Sequence, residues 1–286
     1  MNMTNIGLPS NRLPITRDLT IAYVLSLMAA LIMAVASVVG LLYQEVIYPT
    51  DELLLSFAPS DAVNLIVGLP ILLATMWLAR RGNLVGLLCW PGALFYVLYM
   101  YVPYVIDVPF NVLFLPYLVL VVLSAYALIG IVASIDSEVV RQRLMGFVPA
   151  RTSGGILVAL AILVIVRQTV LILTALTNQT PHDTVQIPTW IADFMVSPMV
   201  LVGGILLWQR NGLGYVAGAG LLLGYGALSL SLIPFLVVQA SYTAAPVDVA
   251  GIVVILAMAM VCLVPFAFFV RGATSDRRSP PRSLQG

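Results

Sequence analysis

The chain has 286 residues, of which 61% are apolar and 9% charged, with a formal net charge of +1 and a mean hydropathy of +1.06. Soluble domains carry roughly 25% charged residues. This composition therefore excludes a soluble globular domain, a disordered chain and a nucleic-acid binder, and points to an all-helical integral membrane protein.

A membrane helix needs about 20 largely apolar residues. That ruler predicts eight spans, at 19–43, 62–79, 84–106, 110–134, 153–176, 191–208, 212–238 and 247–270. The organisation expected is an N-terminal segment 1–18, a first four-helix unit 19–134, a connector 135–152, a second four-helix unit 153–270 and a basic tail 271–286. Ala34-Val35-Ala36 has the form of a signal-peptidase site. The apolar run continues past it to Leu42, so the stretch is expected to stay as a span.

Arginine sorts the loops. Arg12, Arg17, Arg80, Arg81, Arg141, Arg143, Arg151, Arg210, Arg271, Arg277, Arg278 and Arg282 all fall on one side of an eight-span chain. The positive-inside rule makes that side cytoplasmic, with both termini inside. The outer segment 44–60 carries Leu53, Leu54, Leu55 and Phe57 after Asp51 and Glu52, so it is expected to dip into the outer interface or to cover the bundle. The segment 177–190 is its counterpart. In the connector, Ile135, Val139, Val140, Leu144, Met145 and Phe147 form an apolar face beside Arg141 and Arg143, as in a short interfacial helix.

The two halves share a pattern. Pro49-Thr50-Asp51, nine residues, then Asp61 matches Pro181-His182-Asp183, nine residues, then Asp193. Trp77 with Arg80 and Gly82 matches Trp208 with Arg210 and Gly212, Tyr96 matches Tyr225, and Asp107-Val108 matches Asp248-Val249. Four spans is an even number, so both repeats would share one orientation, related by an axis along the membrane normal.

The chemistry available is narrow. All 13 basic residues are arginine, which excludes a lysine Schiff base. The single histidine, His182, cannot supply paired haem ligands or a His-rich metal site. Cys89 and Cys262 lie inside separate spans and read as small buried hydrophobes. There is no G-x-S-x-G and no H-E-x-x-H, so no enzymatic activity, metal or cofactor is expected.

Arg167 is the costliest residue. It lies in span five, about nine residues or roughly 13 Å from the outer end. An arginine there costs about 3 kcal/mol or more, so it is expected to face the bundle or a wet cavity and to meet an acid or an anion. Arg167 and Gln168 are read as part of a polar site for an anionic group, against the simpler reading of a snorkelling or ion-paired arginine. Asp61 and Asp193 open spans two and six. Helix capping is their simpler role; pairing with Arg167 or carrying a proton is the functional one, with Asp193 the better-placed partner. In span three, Tyr101 and Tyr104 read as an aromatic belt, while Tyr96 and Tyr99 face either a cavity or ordinary packing. Asn111 starts span four as a cap or as a site residue. Pro70, Pro91, Pro116, Pro198, Pro234 and Pro265 lie inside spans, and Gly214, Gly218, Gly220 and Gly224 allow close helix approach.

Leu78-Ala79-Arg80-Arg81-Gly82, Phe95-Tyr96-Val97-Leu98-Tyr99-Met100-Tyr101, Phe110-Asn111-Val112-Leu113-Phe114-Leu115-Pro116-Tyr117 and Leu123-Ser124-Ala125-Tyr126 together resemble a group of prokaryotic eight-span membrane proteins of unassigned function. The resemblance covers spans two to four. It implies a prokaryotic plasma membrane and adds Asn111, Tyr96, Tyr99 and Tyr117 to the pattern of the first half, but it carries over no activity. Two functions are expected. One is a transporter or binder of a small anionic or amphiphilic molecule, with Arg167 as counter-charge. The other is a sensor or assembly partner of another membrane protein. The first requires a wet cavity between the halves that reaches Arg167. In both, the bilayer is the surrounding partner and nucleic acid is not.

Overall fold

The computed structural model describes residues 13–178, 186–243 and 249–275. The chain is an all-helical multi-pass membrane protein, and among the described residues eight helices, or helix runs, are long and apolar enough to cross a bilayer. In order, the elements are α1 (Thr20–Leu42), α2 (Gln44–Ile47), α3 (Asp51–Val63), a π turn (Asn64–Gly68), α4 (Leu69–Arg80), α5 (Leu84–Asp107), α6 (Phe114–Ser134), α7 (Ser137–Leu144), α8 (Ala150–Asn178), α9 (Gln186–Trp208), α10 (Gly212–Thr243) and α11 (Val249–Ser275). His182, Asp183 and Asp248 lie outside the described residues.

The largest departure from the sequence reading is in the second span. The stretch expected as an outer cover is the start of the span itself. Thr50 caps α3 by accepting from Leu53 N at 3.3 Å, and Asp51 and Glu52 occupy the first turn, where acids suit the helix dipole. From there one continuous run reaches Arg80. Pro70 has no N–H for the carbonyl of Ile66, and its ring crowds that carbonyl. The helix widens there into the π turn just before it.

α5 is the axis of the bundle. In its most apolar stretch 83% of residues are buried, against 17% in α8. It packs on α4, α6 and α10. The contact with α10 is backbone to backbone. A Cβ on Gly92 would stand 2.3 Å from the carbonyl oxygen of Gly220, so only glycine allows this approach. Deeper in α5, Trp90 Nε1 donates to Ser26 Oγ of α1 at 3.1 Å. Neighbours follow a similar order in both halves: α4 on α5 as α9 on α10, α5 on α6 as α10 on α11, and α3 across to α10 as α9 across to α5. The outer pairs differ, since α1 packs extensively on α6 but α8 touches α11 little.

The connector forms a helix, as expected, but it docks on protein as well as bordering the interface. Asp136 caps α7 through Glu138 N and Val139 N. Val140 and Leu144 are buried, with α7 packed against α10 and α11. Met145 and Phe147, expected on the same face, are exposed. The segment before α1 is tied to the connector by Asp136 N donating to Pro14 O and Thr16 N donating to Ser134 O. On the solvent side Arg141 grips Glu138 at 2.5 Å, and this holds the Glu138 carboxyl down to about 2.

Candidate functional site: a cavity between the two halves

A cavity of about 430 Å³ lies where α3, α5, α8, α9, α10 and α11 meet. Both halves of the chain contribute walls. Phe57, Val63, Met100, Leu228, Leu232 and Phe235 make an apolar body. Arg167, Asp193, Tyr99 and Tyr225 supply polar groups, joined by Ser56, Ser60, Ser229, Ser231 and Thr189. Its volume falls within the 300–1,000 Å³ usual for small-molecule sites, and so does its chemistry, an apolar lining with a few polar groups.

Asp193 is the best-held polar group of the wall. It is 9% exposed. Tyr99 Oη donates to its Oδ1 at 2.8 Å, and Gln168 Nε2 donates to its Oδ2. Gln168 is itself buried, and its Oε1 has no partner among the described residues. Asp193 sits seven residues into α9 (193 − 186), beyond the first turn whose N–H groups a cap would satisfy. The capping role expected for it is therefore corrected.

Arg167 lines the same cavity but makes no ion pair and no hydrogen bond with any described residue. The pairing with Asp193 expected from the order of spans is not formed; the neighbouring Gln168 takes that carboxylate. Arg167 stands eleven residues before the end of α8 (178 − 167), about 16 Å along the axis. Its side chain is exposed at the mouth of the cavity rather than packed in the core.

The remaining expected residues lie elsewhere. Asp61 is fully buried, ten residues into α3 (61 − 51), so a cap is again excluded. Its carboxylate accepts from Tyr48 Oη at 2.5 Å and Tyr104 Oη at 3.1 Å. Tyr96 is buried against Gly68, and its hydroxyl has no partner among the described residues. Asn111 ties the loop between α5 and α6 to α2: Oδ1 accepts from Leu113 N at 2.8 Å and Nδ2 donates to Ile47 O at 3.5 Å. Thus Arg167, Asp193 and Tyr99 meet on the cavity wall with Gln168 behind them, while Asp61, Tyr96 and Asn111 do not reach it.

Tyr101 and Tyr104 are not belt residues. Both are buried, Tyr101 bonded to Ser37 at 3.0 Å and Tyr104 to Asp61. Tyr48, Ser229 and Ser231 were not singled out in the sequence. Nothing local marks them, because their roles depend on helices distant in the chain. No protein-family model, curated protein or solved structure matches the chain.

Proposed function

We propose that the protein binds a small amphiphilic anion in the cavity between its halves and carries it, chemically unchanged, across a prokaryotic plasma membrane. The observation that supports this reading is Arg167, a guanidinium without a partner among the described residues, at the mouth of a cavity that is otherwise largely apolar. An arginine with its guanidinium fork free favours a bidentate anion such as a carboxylate or phosphate. The apolar walls suit a hydrocarbon body. Asp193 is bonded to Tyr99 and Gln168 rather than to Arg167, so the guanidinium N–H groups stay free for an anion, and the Asp193 charge disfavours a second negative group beside it.

The shared order of helix neighbours supports reading the two halves as repeats about an axis along the membrane normal, with the Gly92–Gly220 contact beside that axis. The arginine-bearing helix ends support a cytoplasmic assignment for the face that carries α7.

The test is thermal unfolding of the purified protein in detergent with short-chain alkyl carboxylates, alkyl phosphates, and alcohols and amines of matched length. At a hundredfold excess over Kd, occupancy adds about 2.7 kcal/mol of stability. The anions should raise the midpoint and the alcohols and amines should not. The Arg167→Gln protein should lose that selectivity. Equal shifts for all head groups, or none, would remove the reading.

A further inference from the structure

We infer that Asp61, with Tyr48, Tyr104 and Tyr117, forms a reversible proton-binding site inside the first half of the bundle, beside the cavity that holds Asp193 and touching its wall through Tyr104. Asp61 is fully buried, and no cationic side chain bonds to it among the described residues. A carboxylate charge without a counter-ion in such a place carries a heavy desolvation penalty. Something must offset it, and the surroundings leave room only for a proton. A tyrosine hydroxyl already donates to each carboxylate oxygen. On the remaining side, a Cβ on Gly40 would stand 2.1 Å from Oδ2, so the backbone of α1 closes the site. A metal ion needs a vacant centre ringed by oxygens. Here the oxygens touch one another directly.

The two tyrosines that donate to Asp61 can adapt to either charge state. With Asp61 ionised, Tyr48 and Tyr104 donate to it, as observed. Each of those hydroxyls also has a second acceptor in place. Tyr48 lies 3.3 Å from the Tyr117 hydroxyl, and Tyr104 lies 3.2 Å from the carbonyl of Phe57. When Asp61 Oδ2 takes a proton from hydronium, which leaves as water, its new O–H donates to Tyr48 Oη, Tyr48 turns its own hydrogen to Tyr117, and the Tyr117 hydrogen turns away from Tyr48. Every hydroxyl keeps one hydrogen, one proton is gained, and no heavy atom has to move. A carboxylate held by backbone N–H groups could not accept a proton in this way, because those donors cannot rotate away.

The other elements around Asp61 leave its charge uncompensated. α1 presents Ser37 and Gly40, and α5 presents Tyr101 and Tyr104. α6 presents Tyr117, and α10, packed across α3, has no charged residue. Glu45 of α2 is exposed. Two ends of the network point to different places. Tyr48 stands in the outer connection between α2 and α3, whereas Tyr104 also lines the cavity. Tyr48 is itself buried, so proton exchange requires a local opening of that connection, while Tyr104 can relay the charge state of Asp61 to the cavity wall.

The experiment is infrared difference spectroscopy on the full chain in lipid bilayers, titrated from acid to alkaline pH. We expect a carboxylic-acid C=O band that disappears as pH rises, is lost in Asp61→Asn and persists in Asp193→Asn. Tyr48→Phe and Tyr104→Phe keep the acid but remove a hydrogen-bond partner, and each should shift the band to higher frequency. A band absent at every pH would mean a permanently charged Asp61, and one present at every pH a permanently neutral Asp61. Either result, or a band unmoved in both phenylalanine variants, overturns the inference. These outcomes do not depend on whether the cavity holds an anion, so this test and that of the cavity fail separately.

Discussion

Gln168 donates through Nε2 to Oδ2 of Asp193, across the seam between α8 and α9 and one residue away from Arg167. This bond decides how charge is distributed in the cavity. The acid that would otherwise pair with the arginine is bonded by neutral donors instead, so the guanidinium N–H groups remain available at the cavity mouth.

Removing the Gln168 amide should therefore affect both stability and binding. Gln168→Leu leaves a nearly buried carboxylate with Tyr99 as its remaining side-chain donor. An unsatisfied buried acceptor costs about 1–3 kcal/mol. The expected result is a loss of that size in equilibrium unfolding from detergent. Tyr99→Phe should cost a similar amount, and the double variant should depart from additivity because both donors serve one group.

Packing at the axis makes a rank-order prediction. A methyl on Gly92 meets the Gly220 carbonyl oxygen at 2.3 Å, whereas one on Gly220 meets Gly92 N at 3.1 Å and Pro91 Cβ at 3.3 Å. The first must push the two central helices apart; the second needs only a small adjustment. Overpacking typically costs about 1–3 kcal/mol. Gly92→Ala should fall at the upper end of that range and Gly220→Ala at or below its lower end, as measured by unfolding midpoints.

The connector makes a pH prediction. The Glu138 carboxyl is held at about 2, below its usual 4.5, first by the hydrogen bond from Arg141 and then by that from Gln142. A lowered acid contributes stability that is complete above its unfolded value and lost as pH falls through the folded one. The outer face of α7 should therefore loosen between about 4.5 and about 2. Hydrogen exchange across 137–144, compared with Glu138→Gln under identical conditions, checks this. The two proteins should differ at neutral pH and converge at the acid end, and high salt should narrow the difference.

The span count was legible because composition and arginine placement are properties of a whole helix. The start of the second span was not. With Asp51, Glu52 and Pro59 beside Leu53, Leu54, Leu55 and Phe57, the stretch 44–60 reads locally as an amphipathic outer segment, with Asp61 opening the span. That error also misplaced Asp61 at a helix end. Arg167, Asp193 and Tyr99 could be picked out because a charge or a clustered tyrosine inside a span is costly or conspicuous. Their mutual arrangement could not, since it depends on how α5 meets α8 and α9. The tyrosine cage around Asp61 was hidden for the same reason. Tyr48, Tyr104 and Tyr117 come from three separate elements, and a tyrosine near a membrane boundary looks alike whether it faces lipid or an acid.

The central claim is that Arg167 holds an anion. Native mass spectrometry of the protein released from its own membranes, wild type beside Arg167→Gln, tests it most directly. A charged hydrogen bond contributes about 1.5–3 kcal/mol, or roughly tenfold to a hundredfold in affinity. The account predicts a small acidic molecule bound to the wild type and largely lost from Arg167→Gln, with both proteins equally folded. A wild type that emerges bare, one that carries the same molecule as the variant in equal amount, or one that carries added protein mass instead would contradict it.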